Sequence, residues 1–408
     1  MSNLHTLTKN IKSSAQSAGE QTRIACSPQV VTTTGVDKLK VCLWVDWFRM
    51  NIFDRLRTHK LALQESNHDS APFDFDIYQD HYVQTRYNFN LMRTGTARFS
   101  YRLISGDVAL FLSPRSADSV LHNVQLEIGS LSCQTDFKGV FDNIIKMFHY
   151  LSGKVEQEIV SEVHLACDLL GVPIAATSFH YEDNWICRSN NFTYHSHRRK
   201  FNSMSLGKGD IMLRVYDKLL EMSVRRDTAK QEFFAKKWGL SSPEDLKDYD
   251  VTRVEFQLRR PVLKEFDIPC NTVHELSLNL QSIWIYLTES WCRFCVAPVD
   301  RAHKNQSRST ISEMWEKVQN ALFFFSEIPA KRVRQVIIKS IDPLYDQVRG
   351  LMMTIAASKG HAINDIDFIV KTSQQTISYV LRKFFFLDEV AFQRKMQQRF
   401  NECYATVL

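Results

Sequence analysis

Three short segments alternate polar and apolar residues, and each places chemistry on one side only. Successive strand side chains point to opposite faces of a sheet. In Glu162–Asp168, Val163, Leu165 and Cys167 share one face, and Glu162, His164, Ala166 and Asp168 share the other. In Ile211–Asp217, Ile211, Leu213 and Val215 are apolar, while Arg214 and Tyr216 lie opposite. In Val251–Arg260, Val254, Phe256 and Leu258 oppose Arg253, Glu255, Gln257 and Arg259. Such runs describe an antiparallel sheet, and taken singly each fits a strand with one wet face. Together the polar faces collect an imidazole, carboxylates, an amide, an arginine and a tyrosine. His with carboxylates is a donor set for a divalent metal. A tyrosine beside Arg and Lys suits attack on a phosphate ester, because positive charge favours the phenolate over a phenol of pKa about 10.

The charge of the chain is concentrated near that tyrosine. The 408 residues carry a formal charge of +6. Arg188 to Lys230 holds ten basic residues against four acidic ones, and the remainder holds 41 of each sign. A basic island of this kind is an electrostatic footprint for polyanions. Aromatics interleave with it (Trp185, Phe192, Tyr194, Phe201), as in single-strand channels that stack bases; a solvated charged loop and helix face is the plainer reading. His195-Ser-His197 lies in this basic stretch and suits DNA contact or solvent exposure better than metal binding. With 44% hydrophobic and 24% charged residues the chain has a real core. Nine scattered cysteines fit reduced thiols rather than a disulfide framework. Cys292-Arg-Phe-Cys295 is read as buried structural thiols in a helical stretch, since no second ligand pair follows for zinc. The most apolar window, Leu276–Val296, carries Glu289 and Arg293 and reads as a core helix rather than a membrane span.

The order of elements predicts an α+β fold. Met1–Gly35 is polar and aperiodic, and is expected to be a flexible arm rather than a secretory leader. Residues 36–300 are expected to form the α+β domain, with a strand over 41–52, a meander over 99–112 and 122–133, and helices over 141–155 and 218–238. Beyond Val273 nearly everything is predicted helical, and 301–408 is expected to be a separate helical domain. No internal repeat is evident.

The segment Ile211-Met-Leu-Arg-Val-Tyr-Asp-Lys-Leu-Leu-Glu221 resembles the signature of the Rep_trans replication-initiation-factor family, which covers rolling-circle plasmid and phage initiators and related relaxases of integrative conjugative elements. Its pattern is R-[IVF]-Y-[ND]-K-x-x-E, matched here by Arg214, Val215, Tyr216, Asp217, Lys218 and Glu221. Val251–Arg260 resembles the downstream R-[VIL]-E-x-x-[LIF]-[KR] strand, and Glu162–Asp168 sits where the family has R-[LIV]-D-L-A-x-D. Val45-Asp46-Trp47 and Leu126-Glu-Ile-Gly-Ser130 resemble two upstream blocks. The likeness covers about residues 41–300. The family's Arg is Glu162 here and its first Asp is His164, which as neutral imidazole can still ligate a metal.

The resemblance implies an antiparallel nickase core with flanking helices, followed by the helical C-terminal region. It implies a cytoplasmic bacterial enzyme that cuts origin DNA, duplex and single-stranded, with Mg²⁺ or Mn²⁺. Tyr216 would be the nucleophile, leaving a 5′-phosphotyrosine and a free 3′-OH, with Arg214 and Lys218 stabilising phosphoryl charge. His164, Asp168 and Glu255 would hold the metal, with Gln257 beside them. Arg198, Arg199, Lys200, Lys208, Arg225, Arg226 and Lys230 would contact DNA. No Gly-x-x-x-x-Gly-Lys-[Ser/Thr] loop is present, so unwinding would fall to a host helicase; the C-terminal helices would serve duplex binding or a homodimer. A catalytically inactive DNA-binding repressor or structural factor is the alternative, as is an unrelated α+β protein whose strands match by chance.

Overall fold

The computed structural model describes residues 31–47, 52–79, 82–115, 119, 121–151, 153–197, 200–299, 306–323, 330–332, 342–358 and 366–403. Its main feature among them is an eleven-stranded sheet in the order β2-β3-β4-β5-β6-β1-β7-β12-β11-β10-β9, every neighbouring pair antiparallel. Two long strands, β1 (Val31–Trp47) and β7 (Gly153–Leu170), form its spine. On one side of the spine lie β2 (Ser70–Gln79), β3 (Tyr82–Met92), β4 (Tyr101–Ser105), β5 (Val108–Leu112) and β6 (Val124–Ile128). On the other lie β9 (Phe192–His197), β10 (Lys200–Gly207), β11 (Ile211–Asp217) and β12 (Val251–Arg259). A separate pair joins β8 (Trp185–Cys187) to β13 (Cys292–Phe294). The fold is thus the expected α+β type, dominated by one antiparallel sheet.

Helices α1 (Ile52–Glu65), α2 (Ser130–Tyr150) and α5 (Val273–Ile285) cover the apolar sides of these strands. Phe141, Ile144 and Phe148 of α2 share one core with Leu39, Val41, Leu165, Phe256 and Trp284. Helix α2 begins eleven residues before the expected 141, and it is kinked at Asp136, whose side chain accepts from the Gly139 amide at 2.8 Å and so caps the second segment. The single helix expected over 218–238 is two. α3 (Lys218–Arg225) ends at Arg226 in the left-handed region, and Asp227 caps α4 (Thr228–Lys237) by accepting from the Lys230 amide. A small second core follows, in which Phe234 and Trp238 pack on Leu170 and Val251. Those two residues share the polar face of the sheet, so α4 roofs one end of it.

Three expectations shift. Val31–Gly35 belongs to β1, not to an arm, because Val31, Thr32 and Thr33 pair in register with Leu170, Leu169 and Asp168; Met1–Val30 lies outside the described residues. The Cys-x-x-Cys segment is extended rather than helical, with Cys292 opposite Cys187 and both thiols free. The chain divides into two compact units between Val333 and Arg334, later than the expected 300. The reason is α6 (Glu313–Gln319), whose Trp315 is wholly buried, donates to the Thr288 carbonyl and meets Phe179 and Trp185 edge-on. The second unit holds α7 (Asp342–Ser358), α8 (Ile366–Leu387) and α9 (Glu389–Cys403). No helix among the described residues is long and apolar enough to cross a membrane.

The β10–β11 hairpin, which delivers Tyr216, turns on Gly207 (φ +92°) and Gly209 (φ +86°). A Cβ on Gly207 would lie 2.5 Å from the Ile211 carbonyl oxygen, whereas one on Gly209 would meet nothing. Gly209→Ala should therefore cost only about 1 kcal/mol of backbone strain. Gly207→Ala should cost clearly more, about 2–3 kcal/mol, in chemical unfolding. Equal losses for the two variants would refute the close approach.

Candidate active site

The pairing registers bring the three polar faces together. Arg214 and Tyr216 of β11 lie opposite Glu255 and Arg253 of β12, and Arg253, Glu255 and Gln257 lie opposite Asp168, Ala166 and His164 of β7. This face is not wet. Arg253, Glu255 and Gln257 are 0%, 4% and 4% exposed, and His164 and Asp168 are buried with them. A groove of about 1040 Å³ opens above, with Tyr216, Glu255, His164 and Arg214 in its floor and Arg225 and Lys230 along one wall.

Two hydrogen-bonded chains run across the floor. In the first, the Tyr216 hydroxyl donates to Glu255 Oε2 at 2.7 Å. Glu255 Oε1 meets His164 Nδ1 at 2.8 Å, and His164 Nε2 meets Glu162 Oε1 at 3.1 Å. Arg214 reaches Glu255 at 3.4 Å and donates to Gln257 Oε1 at 2.8 Å, and Gln257 donates to Glu162 at 3.2 Å. Lys40 of β1 lies 3.5 Å from Glu162. In the second chain Arg253 donates from Nε and Nη2 to the two Asp168 oxygens at 2.6 and 2.9 Å, and from Nη1 to Asp37. The Trp238 indole adds a bond to Asp168 at 3.1 Å, and the guanidinium stacks on Phe234.

Protonation follows from these contacts. Burial and the adjacent Glu255 charge push the Tyr216 phenol well above its usual value, which favours the neutral phenol. Burial would raise Glu255, but bonds from His164 and Tyr216 outweigh it and hold the carboxylate ionised. Burial works against a charged His164, yet its bonds to Glu162 and Glu255 prevail and its pKa is raised. Against burial, the same histidine and Lys40 hold Glu162 down to about 2. Burial and the Arg253 charge lower Lys218. The two departures from the resembled motif, Glu162 and His164, are thus partners: an acid and a base that bond to each other.

The predicted residues separate into those the groove gathers and those it does not. Tyr216, Glu255, His164 and Arg214 are gathered. Asp168 is not placed as a ligand beside His164 and Glu255, because both of its oxygens are spent on Arg253 and Trp238. Lys218 lines the groove but is only 2% exposed; it bonds Glu221 at 2.8 Å and lies 5.7 Å from the Tyr216 ring centre. Arg225 and Arg226 are exposed at the α3–α4 break, and Lys208 is exposed in the hairpin turn. Arg198 and Arg199 lie outside the described residues; Lys200 opens β10. Trp185 is core, whereas Tyr194 is 64% exposed. Asp37 was missed by sequence reading. It sits at a bulge of β1, holds Arg253 and accepts from Ser130 at 2.7 Å, and its signal was an acid set among β-branched and apolar residues.

The donor set does not fit the metal centre that the sequence suggests. Among the described residues no three His, Cys, Asp or Glu side chains are grouped to hold a metal ion. His164 has both ring nitrogens committed to carboxylates, and Asp168 belongs to the other chain.

No protein-family model matches the chain, and no curated protein matches it in sequence. Among solved structures it is similar to a rolling circle replication initiator protein from Geobacillus stearothermophilus, at 13% identity and a TM-score of 0.39, over 71% of this chain and 98% of that one. A likeness at that level carries no weight for the chemistry, which rests on the site.

Proposed function

We propose that this protein is a DNA-nicking and strand-transfer enzyme of the rolling-circle initiator or relaxase type, with Tyr216 as nucleophile. The observation that carries the reading is the Tyr216 hydroxyl, bonded at 2.7 Å to an ionised Glu255 in the floor of a groove with basic residues on its wall. Tyr216 Oη attacks phosphorus as its proton passes to Glu255 Oε2. The bond from phosphorus to the 3′-oxygen breaks, and that oxygen leaves with a proton from solvent as a free 3′-OH. A 5′-phosphotyrosine ester remains, and the reverse sequence rejoins the strand. Arg214, 37% exposed at its side chain, is the cation placed to meet phosphoryl oxygens. Lys218 holds the tyrosine ring. No step is assigned to Mg²⁺ or Mn²⁺, since the cluster offers no assembled site for either. Origin DNA is the substrate, and unwinding falls to a helicase partner.

The test is a nicking assay on supercoiled DNA carrying the element's own origin, with and without divalent ions. Wild type should give a covalent protein–DNA adduct on a denaturing gel, and Tyr216→Phe should give none. Equal adduct from the variant removes Tyr216 as nucleophile. Binding without any adduct in wild type supports the alternative, an inactive DNA-binding protein of the same fold.

A further inference from the structure

The groove is chemically lopsided about Tyr216. On the side of the spine its lining holds three carboxylates, Asp37, Asp107 and Glu127, against one lysine, Lys38, which pairs with Glu127 at 3.4 Å. On the other side, toward the sheet edge, it is lined by His195, Asn202, Ser203 and Ser205. These are neutral hydrogen-bonding groups, and their positions are set by register. Ser203 lies directly across from Tyr216, Ser205 across from Arg214, and His195 across from Ser203. Asn202 sits at a shift in the β9–β10 pairing, and its carboxamide oxygen is buried without a partner. A buried acceptor of this kind is costly to leave unpaired, and Asn202 lines the groove. Arg225 and Lys230 form the wall at the end of β11.

Phosphate contacts position a nucleic acid and base contacts specify it. Resting on the proposed nicking function, we infer that the strand passes over β11 toward the sheet edge, with its phosphates on Arg214, Arg225 and Lys230. The base next to the scissile phosphate is read by Asn202, Ser203 and Ser205, with His195 beyond them. The edge of the sheet is then a specificity surface for single-stranded DNA, and the acidic spine side stays free of it.

The experiment exposes the protein to single-stranded oligonucleotides randomised over a short window, isolates the covalent adducts and sequences them. Wild type should show a marked preference at the nucleotide adjoining the phosphotyrosine bond. Asn202→Ala and Ser205→Ala should each flatten that preference at least tenfold, the scale of one lost base contact. Arg225→Ala and Lys230→Ala should lower adduct yield evenly across sequences. Should Asn202→Ala fail to fold, Ser203→Ala and Ser205→Ala, each the loss of one hydroxyl from a half-buried side chain, carry the test. Adducts whose preference survives in these variants overturn the inference and leave the nicking function standing. No adduct from wild type overturns the nicking function itself.

Discussion

Replacing Arg253 with methionine is expected to remove about 3–5 kcal/mol of stability, because it leaves buried carboxylates without their counter-charge. Arg253 is wholly buried and holds Asp168 and Asp37 together while stacking on Phe234. The three bonds it donates end on two acids from different strands, so one truncation strands both. Urea unfolding monitored by tryptophan fluorescence would measure the loss. The double variant Asp168→Leu/Arg253→Met should recover part of it, since apolar pairs often replace buried ion pairs at little cost. A loss below about 1 kcal/mol for the single variant would show that water reaches these carboxylates and that the roof formed by α4 is loose.

The second large effect is on pH dependence, and it has two limbs. Glu162 is held at about 2 from an ordinary 4.5, so its contribution is full above 4.5 and is lost as pH falls toward 2. Asp37 and Glu255 are also lowered, the first chiefly by Arg253 and the second by His164 against their burial, and they deepen the same acid limb. His164 is raised above 6.5, so its contribution is full below 6.5 and is lost as pH rises through its folded value. The Glu162 and His164 shifts record one bonded pair and count once. The groups facing His164 are Glu162 on its own strand, Glu255 and Gln257 on β12, and Lys38 and Lys40 on β1. Thermal unfolding midpoints should therefore plateau between about pH 4.5 and 6.5 and fall on both sides. In His164→Gln the alkaline fall should disappear; an unchanged alkaline fall in that variant would assign it to another group.

The strand Ile211–Asp217 was legible to the residue, and so was the gathering of Tyr216, His164 and Glu255 on one face. Alternation with period two reports face, and the bounding turn residues report length. The dryness of that face was not legible. Its cover comes from Phe234 and Trp238, on a helix whose own pattern gives no sign of which strand it overlies. Nor was the fate of Asp168. A carboxylate on a polar face looks the same in sequence whether it meets a metal or an arginine, and its partner here is 85 positions away. The hairpin of β2 and β3 was missed although Phe73, Phe75 and Ile77 alternate with Asp74 and Asp76 along β2. The boundary at 300 was drawn at a polar stretch, but Trp315 beyond it completes an aromatic core begun at Phe179.

The bond between Arg253 and Asp37 spans 216 positions of chain. At the usual 5–20 residues per second of synthesis, β12 emerges roughly 10–40 s after β1. Until then the middle of the sheet lacks the strand between β7 and β11, and Tyr216 has neither Glu255 nor Arg253 beside it. The hydrogen-bonded cluster around Tyr216 therefore closes only with β12, the last strand of the eleven-stranded sheet to be made.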